Sequence, residues 1–360
     1  MNKKILTTIS TSVVLMYHAQ SDVYSFRDQD LTKEAEVVSL DHVKEFPKHI
    51  LDWKKLKVLR ISGDKEFTEL PKEIDRLENM ETFSMTGRTG VVNFPNAFAK
   101  LNKLKKVSIF SVYIKQMPPQ ILKLKNLEEL SFFCPFLENY PENIGDLQNL
   151  KTLIIKSRDE EALKENAHKY SSLSIPKSIR KLKNVETFSA GGNMLQNVPD
   201  EIGEMKSLKI LDLSQNHLTD LPERVSLLKN LTEINLSKNW FSQFPVAVYY
   251  IENLTKITYN NNTITSIPPG MGRMKNLKYF SASNSKITPS ALSELYNAAN
   301  LEVIDFTDCQ LESLPPGIEK LKNLKTLFFQ GNKIPEVEIE KLRRILPGVK
   351  ITSINPYKKI

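Results

Sequence analysis

Apolar residues recur along this chain in a short frame: one apolar position, then others three and five residues on. With the first apolar residue of each frame as position 0, the frame falls at Leu56, Met80, Leu104, Leu127, Leu150, Val185, Leu208, Leu231, Leu254, Leu277, Leu301 and Leu324. Successive spacings are 23 or 24 residues, apart from one of 35. Positions +3 and +5 are apolar in every unit, as in Leu211 and Leu213 or Ile304 and Phe306. A degenerate unit precedes the series (Val38, Leu40, Phe46-Pro47) and a worn one follows it (Val349, Ile351, Ile354). A period of two over so few residues predicts a short β-strand with one buried face. Strands related by a simple repeat pair in parallel, and at a spacing of about 4.8 Å they build a curved sheet on the order of 60 Å long. No unit buries its own leucines; each is covered by its neighbours.

The rest of the unit is patterned too. Position +8 is Asn at Asn193, Asn216, Asn239, Asn262 and Asn332, where an amide can satisfy backbone groups left unpaired as the chain bends out of the strand. Position +10 is again apolar (Leu195, Leu218, Phe241, Ile264). An apolar-Pro pair then recurs, as in Val198-Pro199, Leu221-Pro222 and Leu314-Pro315. Proline cannot donate to a strand ladder, so it belongs on the convex return side, where an apolar residue three positions later (Ile202, Val225, Ile318) pins that side to the core. Position +8 holds Asp64, Arg88, Val112, Pro135 and Arg158 in the first five units, so these are expected to be less regular and more weakly held. Cys309 stands at +8 in place of Asn, a structural role, and Cys134 lies seven units away, beyond disulfide reach.

The 35-residue spacing marks an insertion of about twelve residues within 157–174. Its sequence, Arg158-Asp-Glu-Glu-Ala-Leu-Lys-Glu-Asn-Ala-His-Lys, has the composition of a short charged helix with little apolar face, expected to protrude from the stack. Positions +2, +4 and +6 point away from the core, on the open face. At +4 most are small and polar, such as Ser84, Ser108, Ser131 and Ser189. Phe110 and Phe133 break this pattern at +6 in adjacent units, with Ile154 near them at +4; Tyr279 and Phe328 are more isolated. Aromatic residues on a rigid face are candidate binding anchors. The alternative is that the charged insertion lies over them. The approach to the strands is rich in lysine, including Lys103, Lys105, Lys123, Lys125, Lys181, Lys183, Lys320 and Lys322, which stack along one edge. That edge is either a strip for an acidic polysaccharide or a solvated border diluted by Glu78, Glu81, Glu128 and Glu186.

Composition adds exclusions. The chain has 360 residues, is 26% charged and carries a formal net charge of +8, which permits a polyanionic partner without requiring one. Two cysteines are too few for a disulfide framework or a thiolate metal site. The histidines are scattered, and phosphate-cradling glycine loops and nucleophile elbows are missing. No catalytic residue, metal ligand or cofactor site is therefore expected, and nucleic acid is not among the expected partners. Residues 1–21 read as a cleaved export signal: Lys3 and Lys4, a short apolar stretch from Ile5 to Met16, then Ala19-Gln20-Ser21 before a cut at Asp22. Twelve residues, diluted by Thr and Ser, are too few to span a bilayer, which needs about 20. A single stack over 22–354 and a polar tail over 355–360 complete the expected organisation.

The frame Leu208-Lys-Ile-Leu-Asp-Leu-Ser-Gln-Asn-His-Leu-Thr-Asp-Leu-Pro-Glu-Arg-Val resembles bacterial leucine-rich-repeat proteins, above all the secreted proteins with 23-residue repeats found in spirochaetes. The resemblance covers roughly residues 36–354. It implies an α/β leucine-rich-repeat solenoid with a parallel sheet on the concave side and short helical or extended segments on the convex side. It also implies an exported or surface-associated protein, of a kind some of whose members bind host surface or extracellular-matrix components. Bacterial effectors that are ubiquitin ligases have similar repeats but carry a separate domain with a Cys nucleophile, whereas both cysteines here lie within the repeats. The leading expectation is a secreted or surface-associated, non-enzymatic protein-binding module, adhesive towards host components. The alternative is an intracellular bacterial scaffold without export. An intact residue 1, as against a cut at Asp22, separates the two.

Overall fold

The structure, a computed structural model, describes residues 35–157, 173–263 and 265–352. The expected signal segment over 1–21, the stretch of the insertion expected to form a short helix and the expected polar tail over 355–360 lie outside the described residues. The strands form one fourteen-stranded sheet, each paired with the next in chain order and all in parallel. In that order they are β1 (Val37–Val43), β2 (Val58–Gly63), β3 (Thr82–Gly87), β4 (Lys106–Phe110), β5 (Glu129–Phe133), β6 (Thr152–Lys156) and β7 (Thr187–Ser189). The series continues with β8 (Ile210–Asp212), β9 (Glu233–Asn235), β10 (Lys256–Thr258), β11 (Tyr279–Ser281), β12 (Val303–Asp305), β13 (Thr326–Phe328) and β14 (Lys350–Thr352). Equivalent positions pair directly: Leu211 with Ile234, Ile234 with Ile257, Ile257 with Phe280. All four are buried, so position +3 forms a continuous apolar row under the sheet.

The return side is a layer of short 3-10 helices begun by the recurring proline. Pro199, with φ −70°, precedes the helix Asp200–Glu204, and its carbonyl accepts from Ile202 N at 3.1 Å. That bond turns the Ile202 side chain inward, where it is fully buried. Pro222 and Val225 repeat the arrangement one coil later. Where the apolar-Pro pair is missing, between Leu277 and Leu301, the described chain forms an α-helix instead, α1 (Pro289–Leu295). Pro289 occupies its first turn and the Thr288 hydroxyl caps Ala291 N. A second α-helix, α2 (Glu336–Ile345), takes the same place before β14.

The first and later coils differ in a way the pattern of Asn only partly foretells. Strands β1 to β6 are five to seven residues long, whereas β7 to β14 have three each. In the later coils the residue at +7 is left-handed: Gly192, Gln215, Lys238, Asn261, Asn284, Asp308 and Gly331 have φ between 54° and 73°. That bend ends the strand and directs the side chain at +8 into the stack. Asn239 Nδ2 then donates to Leu213 O at 2.9 Å and Leu236 O at 3.0 Å, while its Oδ1 accepts from Leu218 N at 3.0 Å. One amide thus ties its own strand to the coil before it. Asn216 does the same with Ala190 O, Leu213 O and Leu195 N. Cys309 substitutes for the amide, its Sγ lying 3.1 Å from Ala282 O, and burial pushes its thiol up to about 12. The buried Cys134 thiol is likewise pushed up to about 12 by desolvation. The first coils lack the amides but are not more weakly paired, contrary to expectation. Their strands run on past +4, and six positions of β2 pair with β3, against three between β8 and β9, although Gly87 at +7 of β3 is itself left-handed, with φ 90°.

The insertion is anchored at both ends on one coil. Ser157 N donates to Asn193 Oδ1 at 2.8 Å, and the buried Leu173 donates from its backbone to Asn193 O at 3.4 Å.

Candidate binding surface on the open face of the sheet

The side chains at +2, +4 and +6 stand on the sheet face that the 3-10 layer does not cover. In register, Phe110 of β4 pairs with Phe133 of β5, and Ser131 pairs with Ile154 of β6. Phe110 is 40% exposed, and Phe133 and Ile154 are half-buried. These three therefore share one apolar patch, as their positions predict. Tyr113, just past β4 at +9 and so outside the strand period, is also 44% exposed. Around the patch the face is lined by hydroxyls: Ser84, Thr86, Ser108 and Ser131.

The other two aromatic candidates differ. Tyr279 is half-buried and is not isolated, because Lys256 Nζ lies 5.6 Å from its ring centroid. Glu233, Lys256 and Tyr279 occupy +2 on three adjoining strands, with Lys256 Nζ 3.5 Å from the Glu233 carboxylate. Lys256 is only 8% exposed, and desolvation, opposed by Glu233, lowers its pKa from the ordinary lysine value. Phe328 corrects the expectation of an exposed anchor. It is 2% exposed between Asp305 and Thr352, so the face is closed over at β13 and this ring offers no surface to a partner. A more exposed aromatic lies off the face: Trp240, 56% exposed, stacks on His217 with centroids 4.1 Å apart. Both sit at +9 of successive coils, a recurrence present in the sequence but outside the rows considered.

The lysine edge is resolved residue by residue. Lys181 pairs with Asp146 at 3.1 Å and Lys183 with Glu204 at 3.4 Å. Lys123 and Lys125 are exposed, with no ion pair among the described residues. At +1 the charges alternate from coil to coil: Lys105 meets Glu81 at 3.3 Å, Lys151 meets Glu128 at 2.7 Å and Lys209 meets Glu186 at 2.8 Å. Glu302 is held by both Lys278 and Lys325. The edge is mainly a ladder of opposite charges, so the expectation of a like-charged strip is corrected for Lys181 and Lys183. The Lys151 ammonium hydrogen-bonds to Glu128 and holds that carboxyl below the usual range, while Glu128 raises Lys151 in return. Lys325 lowers Glu302 in the same way. Among the described residues no group of three His, Cys, Asp or Glu side chains could hold a metal ion, and no helix is long and apolar enough to cross a membrane.

A family model for a leucine-rich repeat region matches residues 35–199 and 196–307, and a single leucine-rich repeat matches 300–321. No curated protein matches the chain. Among solved structures, it is similar to a leucine-rich-repeat protein of Leptospira interrogans, with 28% identity, a TM-score of 0.58, and 89% of this chain and 90% of that chain covered. An internalin of Listeria monocytogenes has the same fold at 15% identity and a TM-score of 0.67, covering 89% of this chain and 86% of that one. The plant peptide hormone receptor RGFR1, solved in complex with RGF2, aligns at 22% identity and a TM-score of 0.54 over 89% of this chain and 57% of the receptor chain. Repeating frame, parallel sheet, asparagine ladder and family match agree: the chain belongs to the leucine-rich-repeat family.

Proposed function

We propose that this protein is a secreted or surface-associated, non-enzymatic binding module that takes a protein partner on the open face of its sheet, with a host surface or matrix component as that partner. The observation that carries the reading is the pairing of Phe110 with Phe133, in register on a face otherwise lined by hydroxyls. Phe110 remains 40% exposed although a row of small polar residues would serve the fold equally well. Large rings on a rigid support lose little entropy on binding and typify interface hot spots. The leader-like residues 1–21 support export. The plant receptor RGFR1 shows the fold in a complex and motivates a peptide or protein ligand.

Two measurements test the reading. Mass spectrometry of the protein from its native cell should find an N-terminus at Asp22; an intact residue 1 would count against export. Capture from extracellular-matrix extract should be lost in the Phe110→Ser/Phe133→Ser double variant, since truncating a hot-spot pair costs more than about 2 kcal/mol. Capture that is unchanged in the double variant would move the site elsewhere.

A further inference from the structure

The patch around Phe110 and Phe133 differs from the rest of the molecule in its charges as well as its rings. Along the +1 edge, cations meet a carboxylate of a neighbouring coil. On the open face of β2 to β6 the basic residues are Arg60, Lys106 and Lys156, and the one acid is Glu129. Lys106 and Glu129 pair at 2.7 Å and cancel. Arg60 and Lys156 are left without an ion pair among the described residues, as is the exposed Arg88 that follows β3. Lys156 stands in register beside Phe133, and Arg60 beside Ser84, two strands from Phe110. Among the described residues the aromatic pair is thus flanked on both sides by positive charge without an ion-pair partner. The later strands do not repeat this excess: Asp212 and the buried Asp305 stand on the same face against Lys350, while Glu233 and Lys256 cancel.

Accepting the open-face site as the binding site, we infer that its occupant is an extended acidic peptide segment with a central aromatic or large apolar residue, lying across β2 to β6. The apolar anchor stacks on Phe110 and Phe133, and carboxylates on either side meet Arg60 and Arg88 at one end and Lys156 at the other. The dimensions agree. Crossing from β2 to β6 takes four inter-strand steps, about 19 Å, which an extended chain covers in roughly six residues. A peptide of that length places its acids two to three residues from the anchor. Unpaired cations around an apolar centre favour this partner twice over. They steer an acidic segment in, and they leave a basic one with like-charge repulsion.

Selection of linear twelve-residue peptides displayed on phage, against the full chain, tests the inference. Enriched sequences should carry Asp or Glu on both sides of an aromatic residue, and their binding should weaken steeply with added salt. The Arg60→Glu/Arg88→Glu/Lys156→Glu variant should bind a selected peptide at least about tenfold more weakly, a change that also follows from replacing the peptide's acids with Lys. Arg60→Ala and Lys156→Ala are milder substitutions that test the same contacts should the triple variant fold poorly. Phe110→Ser/Phe133→Ser should abolish binding with an unchanged melting temperature. If selected peptides need the two Phe residues but carry no acids and ignore the charge reversals, the site stands and the acidic partner is overturned. If they ignore both sets of substitutions, or if no peptide is enriched, the site reading falls as well. Binding of heparin that depends on the three cations but not on the Phe pair would overturn the inference in favour of a bare polyanion strip.

Discussion

Asn239 shows how a single side chain can organise a coil. Its amide donates to two carbonyls from different coils, and its oxygen accepts a backbone N–H from the coil before. All of these groups lie at the point where the strand has ended and water is excluded, so an alanine there leaves them without partners. Asn239→Ala should destabilise the protein by about 1–3 kcal/mol, read from urea unfolding. An unchanged unfolding midpoint would mean that water takes over the bonds. The role of Asn at +8 was legible in the sequence because the residue recurs in register. A second ladder was not noticed: Asn126, Asn149, Asn230 and Asn253, one residue before position 0, each donate to a carbonyl of the preceding coil at 2.7 to 2.9 Å. Its signal in the sequence is regular, but it lies before the strand rather than in the strand or its exit. The left-handed residues at +7 are different. Gln215 and Lys238 adopt that conformation without being glycine or asparagine, so residue type alone announces nothing. The bend also recurs where +8 is Ser285 or Cys309, so the Asn at +8 does not by itself dictate it.

At the scale of the elements, strand length and return-side geometry follow from how closely coils approach. Gly203 lies in the 3-10 helix Asp200–Glu204, where a Cβ would stand 2.1 Å from Arg224 O of the next coil. Gly272, in the helix Met271–Arg273, has its nearest such neighbours at 3.8 Å. Gly203→Ala should therefore cost about 1–3 kcal/mol as the two coils are forced apart, whereas Gly272→Ala should be close to neutral. Thermal denaturation of the two variants side by side distinguishes them; equal effects would show that the return side yields freely. Strand positions and the parallel order could be read from the sequence because one face of every strand is apolar. The change from long to short strands could not, because it depends on where the backbone bends and not on which residues are buried. The α-helix at Pro289–Leu295 was foreshadowed only by the missing apolar-Pro pair.

Across the whole molecule, the alternation of Glu and Lys at +1 sets the response to pH. Glu128 and Glu302 have folded pKa values below the ordinary 4.5, owing first to hydrogen bonds from Lys151 and Lys325. A carboxyl with a depressed folded pKa contributes stability that is fully present above its unfolded value and is lost as pH falls through the folded one. The melting temperature should thus hold steady down to about pH 5 and fall below it. Molar salt should flatten the fall, since these pairs are exposed and screened. A melting temperature that rises on acidification would contradict the ladder. The alternation is visible in the sequence once the frame is set, and the acids Glu81, Glu128 and Glu186 that dilute the lysine edge are the ones that pair with it. For the candidate site, the register placed Phe110, Phe133 and Ile154 together correctly. It did not foretell that Phe328 is closed off at 2% exposure, because its +4 position places it on the open face like its neighbours in register.

The division of the sheet into a face the fold needs and a face it does not is the central claim, and melting temperature tests it directly. Leu211 and Phe110 both lie on strands, but Leu211 is fully buried beneath the sheet whereas Phe110 stands 40% exposed above it. Leu211→Asp places an unpaired charge in the shared core at a cost of several kcal/mol and should abolish the cooperative transition or lower it sharply. Phe110→Ser/Phe133→Ser, measured in the same experiment, should melt within about two degrees of the wild-type protein. A loss of several degrees in the double variant would show that the two rings are part of the packed structure, and the open face would then hold no binding site there.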